Sequence, residues 1–261
     1  MAIKKTKKLS GQTTTSTVAS GEKFAKVDAN GKVTLIDLAS LKTALLGGID
    51  TNAILGNVFI MYHRKSDNYS RMAKPHKWTA LQNAGEIADG VVVVEGGKVL
   101  VVAPTEAGSA GLLWSSAHVS AGATTTIDRV TAINDWNGKA NTASIISNST
   151  TAAITNTNAY APGFCNLYSR ANANGKGVLA GGWWLPSAGE MTMIYANMTK
   201  INYCLSLITG ATQLSEAWYW LSTENSPTGA WAFNLESGYL ATGNAKSAGK
   251  LKVRPVSEFI I

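Results

Sequence analysis

The residue types that most often carry enzymatic or metal chemistry are few in this sequence and stand far apart. Two cysteines, Cys165 and Cys204, allow at most one disulfide, and neither belongs to a CxxC pair of the kind that binds zinc. The three histidines lack HExxH spacing, and there is no GxSxG elbow and no GxxxxGK[ST] phosphate loop. We therefore predict that the protein is not an enzyme and that it holds no metal ion and no other cofactor.

One acid, Glu190, stands at an informative spacing. Together with Ser187 it forms an S-x-x-E pattern, in which the hydroxyl and the carboxylate each satisfy a backbone N–H group at a helix start. Met191, Ile194 and residues beyond follow at helical spacing and indicate a core-facing helix. A catalytic role for Glu190 is the alternative, but capping explains the residue more simply.

Composition and charge narrow the class of protein. Charged residues make up 15% of the chain, below the roughly 25% of an average globular domain. The longest apolar runs, Val91–Val94 and Val99–Ala103, have the length of strands, so we expect no membrane insertion. Residues 1–84 carry 13 basic and 5 acidic side chains, whereas the rest carries 10 and 11. The basic start lacks an aromatic reader motif and an apolar signal region, so we expect neither nucleic-acid binding nor Sec export.

The N-terminal third divides into three segments. Residues 1–20 are basic and then rich in Ser and Thr, which is typical of a flexible arm. Residues 21–55 predict a hairpin over 26–35 with its turn at Asn30-Gly31, followed by a short helix over 38–46. This segment is too small for a core of its own, so we expect it to anchor and oligomerise the chain. Residues 56–84 are either a linker or the first part of the C-terminal domain.

Residues 85–261 predict one α+β domain. A buried hairpin is expected over 90–103, and short helices over 126–136, 163–173 and from 188 onward. In the first of these helices Ile127 and Val130 share one face with either Ile133 or Ala132. Short strands follow over 218–222, 230–235, 239–240 and 250–260.

Several motifs occur in order within this C-terminal region. They are GGWWLPSAGE at 181–190, WLSTE at 220–224, AWAFN at 230–234 and VRPV at 253–256, preceded by DWNGKANT at 135–142. This order resembles the bacterial and phage branch of C-type-lectin-fold domains, which includes phage tropism determinants and the variable proteins of diversity-generating retroelements. The resemblance covers about residues 85–261. It implies a compact domain whose last strands and loops display a binding surface.

The pattern of the last strands adds candidate binding residues. A period of two places Trp231, Phe233 and Leu235 on one face of a strand, which we assign to the core. The opposite face is either solvated surface or a recognition face, and the resemblance favours recognition. Aromatic rings and adaptable polar groups suit such a paratope. The candidate ligand-binding residues are Tyr219, Asn225, Ser226, Thr228, Ala232, Asn234, Glu236 and Tyr239.

Two departures from relatives of this fold limit the function. The Glu-Pro-Asn or Gln-Pro-Asp and Trp-Asn-Asp motifs that hold calcium in sugar-binding animal lectins are absent, so we expect calcium-free binding. Formylglycine-generating enzymes of the same fold use a cysteine pair near the end of the domain. Here Cys165 and Cys204 lie on two predicted helices, where buried thiols are expected instead.

The resemblance implies a phage virion protein, in a tail or head fibre, that binds a protein or glycan receptor on the host cell surface. The N-terminal segment would contact other virion proteins and form a homo-oligomer, with a trimer expected. The alternatives are an adhesin on the bacterial cell surface, a structural decoration protein without a receptor, and, less favoured, an enzyme of the formylglycine-generating type.

Overall fold

The computed structural model describes residues 23–27, 30–37, 56–118, 120–148 and 156–259. The chain divides into two compact units, Met1–Leu55 and Gly56–Ile261. Segment 56–84, for which two interpretations stood open, thus belongs to the same unit as the C-terminal region. Among the described residues, no helix has the length and apolar character needed to cross a membrane.

The described part of the first unit is a β-hairpin. Strand β1 (Lys23–Val27) pairs antiparallel with β2 (Val33–Asp37), with Val27 opposite Val33. The predicted turn at Asn30-Gly31 is present, and Gly31 has a φ of 77°, which a glycine adopts without strain. Val33 and Leu35, two positions apart on one strand, are both exposed. The expected arm over 1–20 and the helix over 38–46 lie outside the described residues.

The second unit contains eight strands and six helices within the described ranges. The strands are β3 (Val58–His63), β4 (Ser70–Ala73), β5 (Ala88–Glu95), β6 (Lys98–Val102), β7 (Trp218–Ser226), β8 (Gly229–Asn234), β9 (Leu240–Ala245) and β10 (Val256–Ser257). The helices are α1 (Pro75–Asn83), α2 (Arg129–Ile133), α3 (Gly138–Ser147), α4 (Ala161–Leu167), α5 (Ala188–Ala196) and α6 (Met198–Leu207). Two antiparallel sheets with helices packed against them make an α+β fold, as predicted.

The first sheet has the order β10-β6-β5-β3-β4 and is covered on both faces. Val91 and Val93 of β5 face a core shared with α5 and α6, whereas Val92 packs in a second cluster with Trp183. Burial on both sides explains the uninterrupted valine run of β5. The predicted hairpin over 90–103 is therefore confirmed, and its turn is formed by Gly96 and Gly97, both with positive φ.

The second sheet, β7-β8-β9, is also covered on both faces, which corrects the predicted recognition face. Trp231 and Phe233 of β8 pack in the core, as the alternation predicts, and Tyr219 of β7 packs in the same core. Ala232, however, packs with Trp220 in a separate cluster formed with Trp114, Ile145 and Cys165. Ala232 and Tyr219 are both fully buried, so neither residue can contact a receptor.

Two predicted helices differ from expectation. Helix α2 is only five residues long, so Ile127 precedes it; Ile127 is 81% exposed and Val130 is 68% exposed. Ala132 is the buried residue of α2. The helix expected over 163–173 ends at Leu167. The predicted last strand over 250–260 is reduced to β10 and isolated bridges at Leu251 and Lys252.

Candidate functional site

The remaining predicted recognition residues do not form one site, because they lie at opposite ends of β8. Asn225 and Ser226 end β7, and Thr228 lies in the turn that follows them. Asn234 ends β8, and Glu236 and Tyr239 lie in the connection between β8 and β9. Six strand residues separate the turns, a span of about 20 Å at the rise of an extended chain. The two groups therefore need separate assessment.

At the β7–β8 turn the polar side chains stabilise the hairpin itself. The Ser226 hydroxyl accepts a bond from the Gly229 N–H at 3.1 Å and lies 3.2 Å from the Thr228 hydroxyl. The imidazole of His118 lies 3.1 Å from the Thr228 carbonyl oxygen. Asn225 is buried. These contacts account for the polar residues of the turn without a ligand.

At the β8–β9 turn, Asn234 has a structural role and Tyr239 faces solvent. The Asn234 side-chain oxygen accepts bonds from the N–H groups of Glu236 and Ser237, at 2.8 and 2.9 Å. Tyr239 is 51% exposed. Its ring meets Trp218 edge-on, and the Arg129 guanidinium lies 5.0 Å from the ring centre. This contact places Tyr239 beside α2.

Tyr239 and the exposed face of α2 together form what we call the apolar edge. Its members are Ile127, Val130, Ile133 and Tyr239, all exposed. Val130 and Ile133 are three positions apart on α2, so they project from one side of the helix, and Ile127 directly precedes the N-cap Asp128. Clustered exposed apolar side chains of this size mark interaction surfaces more often than isolated ones do.

The apolar edge leads into two cavities that meet at Trp136. The larger, of about 350 Å³, is lined by residues of the β5–β6 turn, α2 and α5, including Glu95, Ile133 and Met193. The smaller, of about 190 Å³, lies between β6, Lys139 and Glu258. Trp136 and Lys98 line both cavities. We call the pair the Trp136 cavities.

A buried carboxyl group lies in the wall of the smaller cavity. Glu190 accepts hydrogen bonds from the Trp184 indole N–H at 3.1 Å and from the Ser187 backbone N–H at 2.9 Å. Burial raises the pKa of Glu190 to about 7, and the neighbouring Asp135 acts in the same direction. The predicted capping box with Ser187 is present. The structural role of Glu190 is thus explained by its sequence motif.

The start of α5 fixes the loop that carries Trp136. The Ser187 hydroxyl donates to the Asp135 carbonyl oxygen at 2.7 Å, and the Gly189 N–H donates to the same oxygen at 3.0 Å. A Cβ at Gly189 would lie 2.6 Å from that oxygen, so only glycine permits the approach. The LPSAGE motif therefore positions Trp136 at the mouth of both cavities.

Sequence reasoning did not single out Trp136 and Lys98 as a site. Trp136 is half-buried, and the Lys98 ammonium lies 5.6 Å from its ring centre. The two residues are 38 positions apart in the sequence, on a hairpin turn and a helix connection, so no local spacing links them. The one available signal is the DWNG motif, which places a large aromatic residue directly before a helix start.

A polar cluster around Glu106 explains why Tyr219 is not available to a ligand. Its hydroxyl donates to Glu106 at 2.7 Å, and burial with this nearby acid raises the pKa of Tyr219 to about 12. Lys252 and Arg254 also bind Glu106, at 2.6 and 3.0 Å.

Within the described residues, no three His, Cys, Asp or Glu side chains are arranged to hold a metal ion. Cys165 and Cys204 are free and buried in different clusters.

Comparisons with known proteins give little guidance. No family model matches the chain, and no curated protein matches it. A solved structure of a fimbrial protein from Bacteroides ovatus ATCC 8483 is similar at 18% identity with a TM-score of 0.41. The match covers 61% of this chain and 35% of that chain, so it spans about a third of the fimbrial protein. What this chain does therefore has to follow from its own residues.

Proposed function

We propose that this chain is a phage virion protein whose second unit, Gly56–Ile261, is a C-type-lectin-fold domain that binds a receptor on the host cell surface. The ordered motifs of residues 135–256 support the fold assignment. The N-terminal part attaches the domain to other virion proteins and joins copies of the chain. The receptor-binding surface is the apolar edge together with the Trp136 cavities.

The observation that carries this proposal is the exposure of the apolar edge. Ile127 precedes the five-residue helix α2 and Val130 lies within it. Neither side chain is covered by the rest of the unit. Full burial of such a side chain in an interface is worth about 1.5–3 kcal/mol. Arg129 and Tyr239 lie beside these residues, and both residue types are enriched among the strongest contributors to protein interfaces.

Receptor binding is tested by adsorption of the purified full chain to candidate host cells. Val130→Ser removes apolar area from the edge, and we expect adsorption to weaken at least several-fold while the melting temperature stays close to that of the parent. Leu179→Ser, at an exposed leucine outside the edge, serves as the matched control. Equal adsorption by both variants would refute the assignment of the surface.

The location is tested separately, by immunogold electron microscopy with antibodies against the chain. Label on phage particles is the expected result. Label on the envelope of uninfected bacteria would replace the virion proposal with the adhesin alternative. Label on particles combined with no adsorption to any host cell would favour the structural decoration protein.

A further inference from the structure

We infer that Ser247 and His118 form a nucleophile–base pair that hydrolyses short carboxylic esters, with the Ser247 hydroxyl as the attacking group. The pair joins the loop after β9 to the segment 115–118, and its two members are 129 positions apart along the chain. No local sequence motif links residues at this separation. The inference goes beyond the proposed receptor binding and does not depend on it.

The hydrogen bonds of the imidazole fix which ring nitrogen carries the proton. His118 Nδ1 lies 3.1 Å from the Thr228 carbonyl oxygen, and Nε2 lies 3.1 Å from the Ser247 hydroxyl oxygen. Because a carbonyl oxygen can only accept a hydrogen bond, Nδ1 must hold the proton. In the neutral ring Nε2 is then the acceptor, so the Ser247 hydroxyl donates to it. The base therefore faces the proton that the nucleophile has to lose.

Backbone hydrogen bonds hold the three groups in this arrangement. The Lys246 N–H donates to the Thr228 carbonyl oxygen at 3.2 Å. The Lys246 carbonyl oxygen accepts from the N–H groups of Trp114 and Ser115, at 3.0 and 3.1 Å. The Lys246 side chain is itself buried against Glu224. The chain is thus anchored directly before the nucleophile and three residues before the base, which is the preorganisation that an active site requires.

The Thr228 carbonyl takes the part that the acidic residue has in a Ser-His-Asp triad, because it orients the ring through Nδ1. Its partial negative charge also stabilises the imidazolium that forms when Nε2 takes up the proton. His118 is exposed and Ser247 is half-buried, so an ester can reach the pair from solvent. The residues next to the pair in sequence, Ala117 and Ala248, are small, which favours a short acyl group such as acetyl over a long apolar chain.

The reaction follows the two steps of covalent catalysis. In the first step Ser247 Oγ bonds to the ester carbonyl carbon while His118 Nε2 takes the hydroxyl proton. The bond to the alcohol oxygen then breaks, and Nε2 returns the proton to that oxygen. In the second step Nε2 takes a proton from water, whose oxygen attacks the acyl group. The bond to Oγ breaks, Oγ recovers the proton from Nε2, and the carboxylic acid leaves. The sum is ester and water to acid and alcohol.

Hydrolysis of p-nitrophenyl acetate by the full chain measures this activity through the absorbance of the released nitrophenolate. At an exposed site water solvates the developing oxyanion, so the expected gain is that of general-base catalysis, roughly 100-fold. Ser247→Ala and His118→Gln should each lower the rate constant by about this factor, since glutamine keeps a donor for the carbonyl oxygen but is no base. Ser206→Ala is the matched control and should match the parent protein, because this exposed serine donates to the Tyr203 carbonyl oxygen instead.

Covalent labelling locates the nucleophile without a variant. Phenylmethylsulfonyl fluoride forms a sulfonyl ester with a serine hydroxyl that a neighbouring base activates, with fluoride as the leaving group. Peptide mass mapping then identifies the modified residue. We expect the adduct on Ser247 in the parent protein and its loss in His118→Gln, and thermal melts show whether the variants fold.

Three results would overturn the inference: an unlabelled Ser247, a label spread equally over the exposed serines, or equal rates of ester hydrolysis in the parent protein, Ser247→Ala and His118→Gln. Host-cell adsorption tests the proposed function separately. The pair lies at the β7–β8 turn, whereas the apolar edge includes Tyr239 at the opposite end of β8.

Discussion

The carboxylate of Glu224 on β7 and the ammonium group of Lys246, directly after β9, form an ion pair from which solvent is fully excluded. Glu224 also accepts hydrogen bonds from the N–H groups of Ala121 and Ala123, each at 3.1 Å. The Lys246 ammonium lies 4.5 Å from the centre of the Trp114 ring. The pair thus holds the segment that precedes the apolar edge against the second sheet.

Removal of either charge from this pair should destabilise the fold strongly. Glu224→Ala leaves the ammonium of Lys246 buried without its counterion, and burial already lowers the pKa of this lysine. We expect a loss of about 3–5 kcal/mol in the free energy of unfolding. Urea denaturation measures it. The double variant Glu224→Leu with Lys246→Met should recover much of the loss, and a double variant less stable than Glu224→Ala would contradict this account.

A glycine at the start of α5 should resist even the smallest side chain. Gly189→Ala places a Cβ 2.6 Å from the Asp135 carbonyl oxygen and 2.7 Å from that of Ile133, both of which are backbone atoms. Overpacking of this kind costs about 1–3 kcal/mol. Gly108→Ala is the matched control, because a Cβ there meets no atom within 4 Å. Equal melting temperatures for the two variants would show that the loop carrying Trp136 is not held by this contact.

Glu190 should make stability fall as pH rises through the mildly acidic range. Its pKa is about 7 in the folded protein against 4.5 in the unfolded chain. Between these values the unfolded chain releases the proton while the folded protein retains it, so each rise in pH favours unfolding. Above pH 7 the penalty is constant, on the order of 3 kcal/mol.

Glu190→Gln should remove this fall, because the amide does not ionise and keeps an oxygen that accepts from Trp184. The measurement is urea denaturation of both proteins from pH 4 to pH 8. Asp89, whose pKa burial raises to about 6, contributes a similar fall at lower pH in both proteins, so the difference between the two curves isolates Glu190. Parallel curves would mean that Glu190 ionises equally in the folded and unfolded states.

The N-terminal segment should assemble the chain. Val33 and Leu35, two positions apart on β2, are both exposed. We expect the full chain to be a homo-oligomer, with a trimer as the specific expectation. Light scattering coupled to gel filtration gives the mass at micromolar concentration. Val33→Ser with Leu35→Ser should shift the mass toward the monomer, and a monomeric parent protein would remove the anchoring proposal.

Local signals in the sequence predicted those elements whose stability is local. The hairpin of β5 and β6 follows from two valine-rich runs around Gly96-Gly97, and the start of α5 follows from Ser187 and Glu190. Both are specified by contacts between residues near in sequence. The core-facing set of β8, Trp231, Phe233 and Leu235, was also predicted, because a period of two assigns side chains to faces irrespective of tertiary context, whereas Tyr219 of β7 was assigned to the recognition face and is buried.

What covers each face could not be predicted in this way. Alternation separates Ala232 from Trp231 but does not show that Trp114 and Cys165 lie over Ala232. Helical spacing likewise groups Ile127 and Val130 with Ile133 or Ala132, but it does not show that Ile127 and Val130 are exposed whereas Ala132 is buried. The Trp136 cavities join residues of four distant segments. Long-range packing of this kind leaves no periodic trace in the sequence.

The second sheet offers a pair of substitutions that separates folding from recognition. Trp231 is fully buried, and its indole N–H donates to the Thr126 carbonyl oxygen at 2.8 Å. Trp231→Ala should lower the free energy of unfolding by about 3–5 kcal/mol through the cavity it leaves. It also removes the hydrogen bond to Thr126, the residue next to Ile127. Asn234→Ala should cost about 1 kcal/mol, since two backbone N–H groups lose their acceptor.

Tyr239→Ala should weaken adsorption to host cells and leave the fold almost unchanged, whereas Trp231→Ala should weaken the fold. Half of the tyrosine is exposed, and its ring contacts only Arg129 and Trp218 among the aromatic and cationic side chains recorded beside it. Removal of the ring leaves these two residues in contact with solvent or with the sheet. The free energy of unfolding should change by about 0.5 kcal/mol, whereas adsorption to host cells should weaken at least tenfold if the ring is an interface anchor. Glu236→Ala, exposed on the same turn but outside the apolar edge, is the control and should leave both quantities unchanged.

Thermal melts and adsorption isotherms of all four variants test this directly. Adsorption equal to that of the parent protein by a stable Tyr239→Ala variant would exclude this tyrosine from the receptor surface. Loss of adsorption only in variants that unfold would show that the edge contributes to stability rather than to binding.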